Sequence, residues 1–136
     1  MIAALAQDNV IRVYETGVVG SYFYLVMEFL EGGDLRSRIA DGMGWRDALS
    51  VARSIADALE HAHTHGVLHR DIRPSNVLFD SDGRPVLSNF AISRIIERDG
   101  EATRPMGSAG LPLYSAPEQL LGRGATTRSI LIRWAF

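Results

Sequence analysis

Side chains able to do chemistry are most concentrated in His69-Arg70-Asp71-Ile72-Arg73-Pro74-Ser75-Asn76. A carboxylate such as Asp71 can accept a hydrogen bond from a hydroxyl and take its proton as that hydroxyl reacts. An amide oxygen such as that of Asn76 suits a hard divalent cation, which prefers oxygen ligands. Between them Arg73 offers a planar fork of N–H donors, matched to oxyanions. The bland alternative is a polar turn whose aspartate caps backbone amides. A second cluster, His61, His63 and His65, puts His61 and His65 at i,i+4 on a helix, but Glu60 precedes His61 and residue 62 is Ala, so no H-E-x-x-H pattern forms. Imidazoles near a helix C-terminus also interact with its dipole. Gly107-Ser108-Ala109-Gly110 is not G-x-S-x-G and follows no strand, which rules out a hydrolase elbow.

Something must hold that octet. Upstream, Ala48, Val51, Ala52, Ile55, Leu59 and Ala62 recur at helical spacing, which predicts a helix over residues 46–65 with Gly66 as its stop. Arg53, Asp57 and Glu60 fall on its wetter side. Downstream, residues 77–79 and 85–88 read as short strands, and Asp80-Ser81-Asp82-Gly83 suits the turn of a hairpin. Further towards the N-terminus, residues 10–14 alternate and residues 18–20 read as a turn. Residues 22–30 (YFYLVMEFL) read as a buried strand. After the break at Glu31-Gly32-Gly33, Asp34 stands where a helix N-cap belongs, ahead of residues 35–39. Residues 96–110 show no period and are expected to form a mobile loop. The pattern is α+β.

The totals narrow the function classes. The chain has 136 residues, 46% of them hydrophobic and 22% charged, with formal net charge −2; it is one globular unit near the small end for a domain. No Lys/Arg block offers a nucleic-acid or membrane patch. Without cysteine there are no disulfides and no thiolate metal sites. No apolar run approaches the roughly 18 residues of a membrane span, and no basic region opens a secretory signal. A soluble, cytoplasmic chain is expected.

The octet resembles the catalytic loop H-R-D-x-K-x-x-N of serine/threonine protein kinases, in the bacterial type of eukaryotic-like kinase domain. Four further segments fall in the family's order. Asp8-Asn9-Val10-Ile11-Arg12-Val13-Tyr14 resembles the entry to an N-lobe strand. Val26-Met27-Glu28-Phe29-Leu30-Glu31-Gly32-Gly33-Asp34-Leu35 resembles the last N-lobe strand and the hinge. Ser88-Asn89-Phe90-Ala91 falls where the family has D-F-G, and Tyr114-Ser115-Ala116-Pro117-Glu118 resembles its A-P-E region. The resemblance implies a partial kinase fold over residues 1–122, mainly the first half of the helical C-lobe with remnant N-lobe strands. It implies ATP and Mg2+ as cofactors and a protein substrate, with no nucleic acid and no membrane segment. Asp71 would be the catalytic base and Arg73 would stand for the lysine at the transferring phosphate. Asn76 and Asn89 would face the metal. Met27 would be the gatekeeper, with plain core packing as the alternative for Met27 and Phe29. The backbones of Glu28 and Leu30 would meet adenine, Asp34 the ribose, and Leu78 the adenine floor. Thr103 and Ser108 lie in the implied activation segment.

The same alignment exposes departures. Asn89 replaces the aspartate that holds the catalytic metal, Ala91 replaces a glycine, and Leu111 stands where a threonine is usual. Neither a Gly-rich phosphate loop nor a V-A-I-K lysine precedes Asp8. Residues 123–136 depart from the family's S-D-x-x-S-L-G pattern and are expected to be a frame-shifted tail. The expectation is therefore a truncated, degenerate and inactive kinase segment, with a non-catalytic, pseudokinase-like binding module as the alternative.

Overall fold

The computed structural model describes residues 6–90 and Tyr114. The expectations about the loop over 96–110, Ala91, Thr103, Ser108, Leu111, residues 115–118 and the tail lie outside these residues.

Among the described residues six elements follow the sequence: β1 (Val13–Val19), β2 (Tyr22–Met27), α1 (Leu35–Ala40), α2 (Trp45–Thr64), β3 (Val77–Phe79) and β4 (Pro85–Leu87). A single 3-10 turn, Pro74–Asn76, precedes β3. Both strand pairs are antiparallel hairpins, β1 with β2 and β3 with β4.

Helix α2 forms where the apolar period placed it. It buries Val51, Ile55, Ala58, Leu59 and Ala62, each full burial of a Val, Leu or Ile side chain being worth about 1.5–3 kcal/mol. Arg53, Asp57 and Glu60 are exposed as expected, but so is Ala48, while Ala58 takes a core place. An Ala at either position leaves the pattern ambiguous, because its methyl group is tolerated on both faces. The helix stops at Gly66, whose φ of 70° only glycine adopts freely. There the Gly66 N–H donates to His63 O and the Val67 N–H to Ala62 O, both at 2.9 Å, which satisfies two carbonyls of the last turn. The chain thus leaves α2 in a fixed direction, straight into Leu68 and His69.

The β3–β4 hairpin is the centre of the core. Val77, Phe79, Val86 and Leu87 are almost wholly buried, and Val77, Phe79 and Leu87 join the α2 residues, Val10, Leu35, Ile72 and Phe90 in one cluster. Two other segments pair with it. Residues 9–11 run beside β4, with Leu87 N donating to Asn9 O at 2.7 Å and Ile11 N to Leu87 O at 2.9 Å. Residues 32–34 run beside β3, with Gly32 N donating to Phe79 O at 2.8 Å and Phe79 N to Gly33 O at 2.9 Å. The Asp80-Ser81-Asp82-Gly83 turn closes the hairpin as expected. Asp80 Oδ1 accepts from the backbone N–H of Asp82 and Arg84, and the Arg84 hydrogen bond chiefly holds the Asp80 carboxyl below its usual range.

The β1–β2 hairpin departs from expectation in its bounds, its turn and its burial. The strand ends at Met27 rather than at residue 30, and β1 continues through Val19, so the turn falls at Gly20-Ser21. Nor is it buried: Tyr22 is 80% exposed and Phe29 86%. Met27 is also partly exposed, so core packing does not account for Met27 or Phe29. An apolar run specifies a strand, but burial needs a second layer, and among the described residues none covers this pair. Gly17 lies opposite Tyr24. A Cβ there would come within 2.6 Å of the Tyr24 ring, so the ring lies over the bare glycine backbone. The Tyr24 hydroxyl donates to Glu15 Oε1 at 2.6 Å, which raises its pKa.

Candidate functional site

The octet leaves α2 through a strained backbone. Arg70 has φ 65° and Asn89, in the segment packed against it, φ 67°. Left-handed backbone at non-glycine residues is uncommon and persists where surrounding structure over-determines it. His69 is the over-determining group. It is fully buried, its Nε2 lies 2.7 Å from Ser88 O, and the Asp71 backbone N–H donates to its Nδ1 at 3.2 Å. With Nδ1 accepting, the ring proton sits on Nε2 and is donated to Ser88. Its ring also meets Phe90 edge-on, centroids 4.6 Å apart. His69 therefore ties the octet to residues 88–90 from both ends of one imidazole.

Asn76 makes the second tie. It is 3% exposed, and its backbone oxygen accepts from both the N–H and the hydroxyl of Ser88, at 2.8 and 3.0 Å. Its side-chain Nδ2 donates to Asp71 O at 2.7 Å and to Asp71 Oδ2 at 3.0 Å. Its Oδ1 accepts from Asn89 Nδ2 at 2.9 Å. The chain of contacts fixes both amide orientations: two acceptors on Asp71 demand the Asn76 donor, so Asn76 presents oxygen to Asn89, which must answer with its own donor.

Arg73 completes the group, with Nη2 3.2 Å from Asp71 Oδ2. Both side-chain contacts of Asp71 thus fall on Oδ2, leaving Oδ1 without a partner among the described residues. Arg73 Nε is buried and has no acceptor there either. The Asp71 Oδ1 therefore stays uncommitted beside the Arg73 guanidinium, whose Nε is enclosed. That arrangement can accept a proton and steady an oxyanion, and it is not a backbone-capping turn.

The structure thus brings Asp71, Arg73, Asn76 and Asn89 into one group, Arg73 through an ion pair and the others through hydrogen bonds. The other expected site residues are divided. Asp34 and Leu78 meet in an antiparallel bridge, so these two do share a location. Asp34 also caps α1: its Oδ1 accepts from Ser37 N at 2.8 Å, a backbone hydrogen bond that holds the carboxyl below its usual range. Met27 lies at the end of exposed β2. Glu28 faces back along the chain, its N–H donating to Arg12 O and its Oε1 accepting from Arg12 N. Leu30 follows, half-buried.

Sequence reasoning overlooked three positioning residues. His69 and Ser88 were read only as flanks of better-known positions. Gly32 was read as a break, although it lies where a Cβ would come within 2.5 Å of Asp80 O and 2.7 Å of Phe79; a pair of glycines beside a strand end is the signal that could have found it. Arg38 reinforces that contact from above the Phe79 ring, 3.5 Å from its centroid. The histidines of α2 hold no metal group among the described residues. The His61 and His65 rings lean on one another at 4.5 Å, and burial lowers the His63 pKa.

The donor set does not fit the magnesium ion expected at Asn76 and Asn89. A hard dication needs free oxygen ligands, commonly carboxylates. Here neither position carries a carboxylate, and Asn89 turns an N–H rather than an oxygen towards Asn76.

Comparison with known proteins bears on most of the chain. The family model described as "Protein kinase domain" matches residues 1–133. CBL-interacting protein kinase 4 of Oryza sativa subsp. japonica is 38% identical over 123 residues, which is 88% of this chain and 27% of that protein. Probable serine/threonine-protein kinase PknB of Lactococcus lactis is 32% identical over 130 residues, 94% of this chain and 21% of that protein. Serine/threonine-protein kinase PkaA of Streptomyces coelicolor is 35% identical over 132 residues, 93% of this chain and 24% of that protein. The chain spans about a quarter of the length of these curated relatives.

Proposed function

This chain belongs to the serine/threonine protein kinase family, and from that premise we propose that it carries the proton-accepting side of a kinase site whose metal side no longer supports efficient phosphoryl transfer. In this reading residues 13–27 are the last N-lobe strands, residues 27–34 the hinge, and residues 35–88 the first part of the C-lobe. ATP is the phosphoryl donor of the family, and protein hydroxyls are its acceptors.

Asp71 would receive the substrate hydroxyl through its uncommitted Oδ1, and Arg73 would turn its guanidinium towards the transferred phosphoryl group. The uncommitted Oδ1 and the guanidinium beside it support these roles. One observation carries the loss of efficiency: position 89 offers an amide that donates to Asn76. Phosphoryl transfer relies on positioning and on neutralising developing charge, so losing an anionic ligand removes a principal source of rate. Met27, Glu28, Leu30, Asp34 and Leu78 would line the nucleotide side. The second reading, a binding module without chemistry, is favoured by the same hydrogen bond, because it keeps the site ordered without a metal.

The test is transfer from labelled ATP with Mg2+ to a Ser/Thr peptide mixture, using the longest natural product that contains these residues. The expected result is incorporation indistinguishable from that of Asp71→Ala. Incorporation well above that of Asp71→Ala would overturn the loss of efficient transfer and assign Asp71 the base.

A further inference from the structure

The hydrogen bond between Asn89 and Asn76 has a consequence for ion binding that can be tested without any nucleotide. We propose that the Asn89–Asn76–Asp71 side-chain relay is a clasp that substitutes for a divalent cation, holding residues 88–90 against the octet and leaving the site indifferent to Mg2+. The proposal rests on the family reading for the statement that positions 76 and 89 face the metal.

Three observations converge. First, the relay is directional: Asn89 Nδ2 donates to Asn76 Oδ1, and Asn76 Nδ2 donates to two Asp71 oxygens. A metal at Asn76 Oδ1 would face the N–H side of the Asn89 amide, and Asn89 would have to rotate by half a turn to offer oxygen. Second, a carboxylate cannot make this contact. Aspartate at 89 has no donor, so it would set acceptor against acceptor at Asn76, beside the negative charge of Asp71. Turning the Asn76 amide over to meet it would forfeit both bonds to Asp71. Third, the backbone suits the residue. Asn89 has φ 67°, a region in which asparagine is enriched several-fold over most side chains. The clasp then closes a ring with His69, which holds Ser88 O on one side and the Phe90 ring on the other.

The proposal separates two kinds of order. In a site built on carboxylates, the segment at 88–90 would be drawn in by the cation and released without it. Here a neutral hydrogen bond does that work, so order at the site no longer depends on cation concentration.

The experiment compares the natural chain with Asn89→Asp in thermal unfolding, each in EDTA and in millimolar Mg2+. The natural chain should unfold at the same temperature in both. Asn89→Asp should unfold about 2–5 °C lower in EDTA, the shift expected from losing one hydrogen bond in a domain of this size, and should recover on adding Mg2+. Equal unfolding temperatures for the two proteins in EDTA would overturn the clasp, and so would Mg2+ stabilisation of the natural chain. If Asn89→Asp does not fold in either condition, Mn2+ titration of the natural chain decides. Its Asn76 and Asn89 side-chain amide resonances should stay sharp, and paramagnetic broadening of them would overturn the proposal. None of these readouts involves phosphate transfer, so an active natural chain would defeat the reading above without touching this one, and the reverse.

Discussion

The two hairpins are both short, apolar and antiparallel, yet they end in opposite environments. In β3–β4, Val77 and Phe79 are each 1% exposed, whereas Tyr22 in β2 is 80% exposed. Strand propensity is satisfied in both, so the difference lies in what surrounds them. β3–β4 has α2 on its face, residues 9–11 along β4 and residues 32–34 along β3. β1–β2 draws its order from its own ladder, from Tyr24 lying over Gly17 and from the contact between Arg12 and Glu28. The candidate site follows the buried hairpin. Asn76 leads into β3 and Ser88 leaves β4, so the strands that make the core also set the spacing of the site.

Substitutions can sharpen that contrast. The largest effect is expected at the junction of site and core. His69→Ala removes a fully buried ring, its packing on Phe90 and the donor to Ser88 O, and should cost about 3–4 kcal/mol in urea unfolding. A loss below about 1 kcal/mol would mean that the octet is not tied to residues 88–90 as described. Next comes Gly32→Ala, which presses a methyl group against the Asp80 backbone oxygen and Phe79. It should cost about 1–3 kcal/mol as residues 32–34 are pushed off β3, with increased exchange of the Phe79 amide as the local signature.

Asp34→Ala should cost about 1 kcal/mol through the lost cap of α1. Its pH dependence has a definite sign. The folded-state pKa lies below that of the unfolded chain, so the unfolded state binds the proton more readily. The contribution is present above the ordinary aspartate range and is lost as pH falls through the lowered folded value. The difference in stability between the natural chain and Asp34→Ala should therefore shrink in acid. Smallest of all, Tyr22→Ser on the exposed strand should change stability by less than about 0.5 kcal/mol. A cost comparable to that of Gly32→Ala would show that β2 is covered in solution and would erase the contrast between the hairpins.

What could be read in advance follows the same division. The course of α2, the Asp34 cap, the Gly66 stop and the β3–β4 turn each depend on neighbours a few residues away, and all were legible. So was the grouping of Asp71, Arg73, Asn76 and Asn89, because their order along the chain matches a family pattern. Burial of residues 22–30 was not legible, since an apolar run reports its own preference and not the presence of a covering layer. Gly32 and His69 were missed for a related reason: their importance comes from atoms of Phe79, Asp80 and Ser88, far along the chain. The amide relay was also hidden. Asn89 in isolation reads as a lost carboxylate, and only its contact with Asn76 shows what the substitution supplies.

The octet and residues 88–90 form one tightly held unit with the β3–β4 core, while β1–β2 stands apart from it. Hydrogen exchange on the natural chain tests this most directly. The Asn76, Phe79, Leu87 and Ser88 amides, which donate to Arg73, Gly33, Asn9 and Asn76, should exchange together at the slow limit of the molecule. The β1–β2 ladder should exchange much faster, through local opening. Equal protection of the two hairpins, or rapid exchange at Asn76 and Ser88, would contradict it.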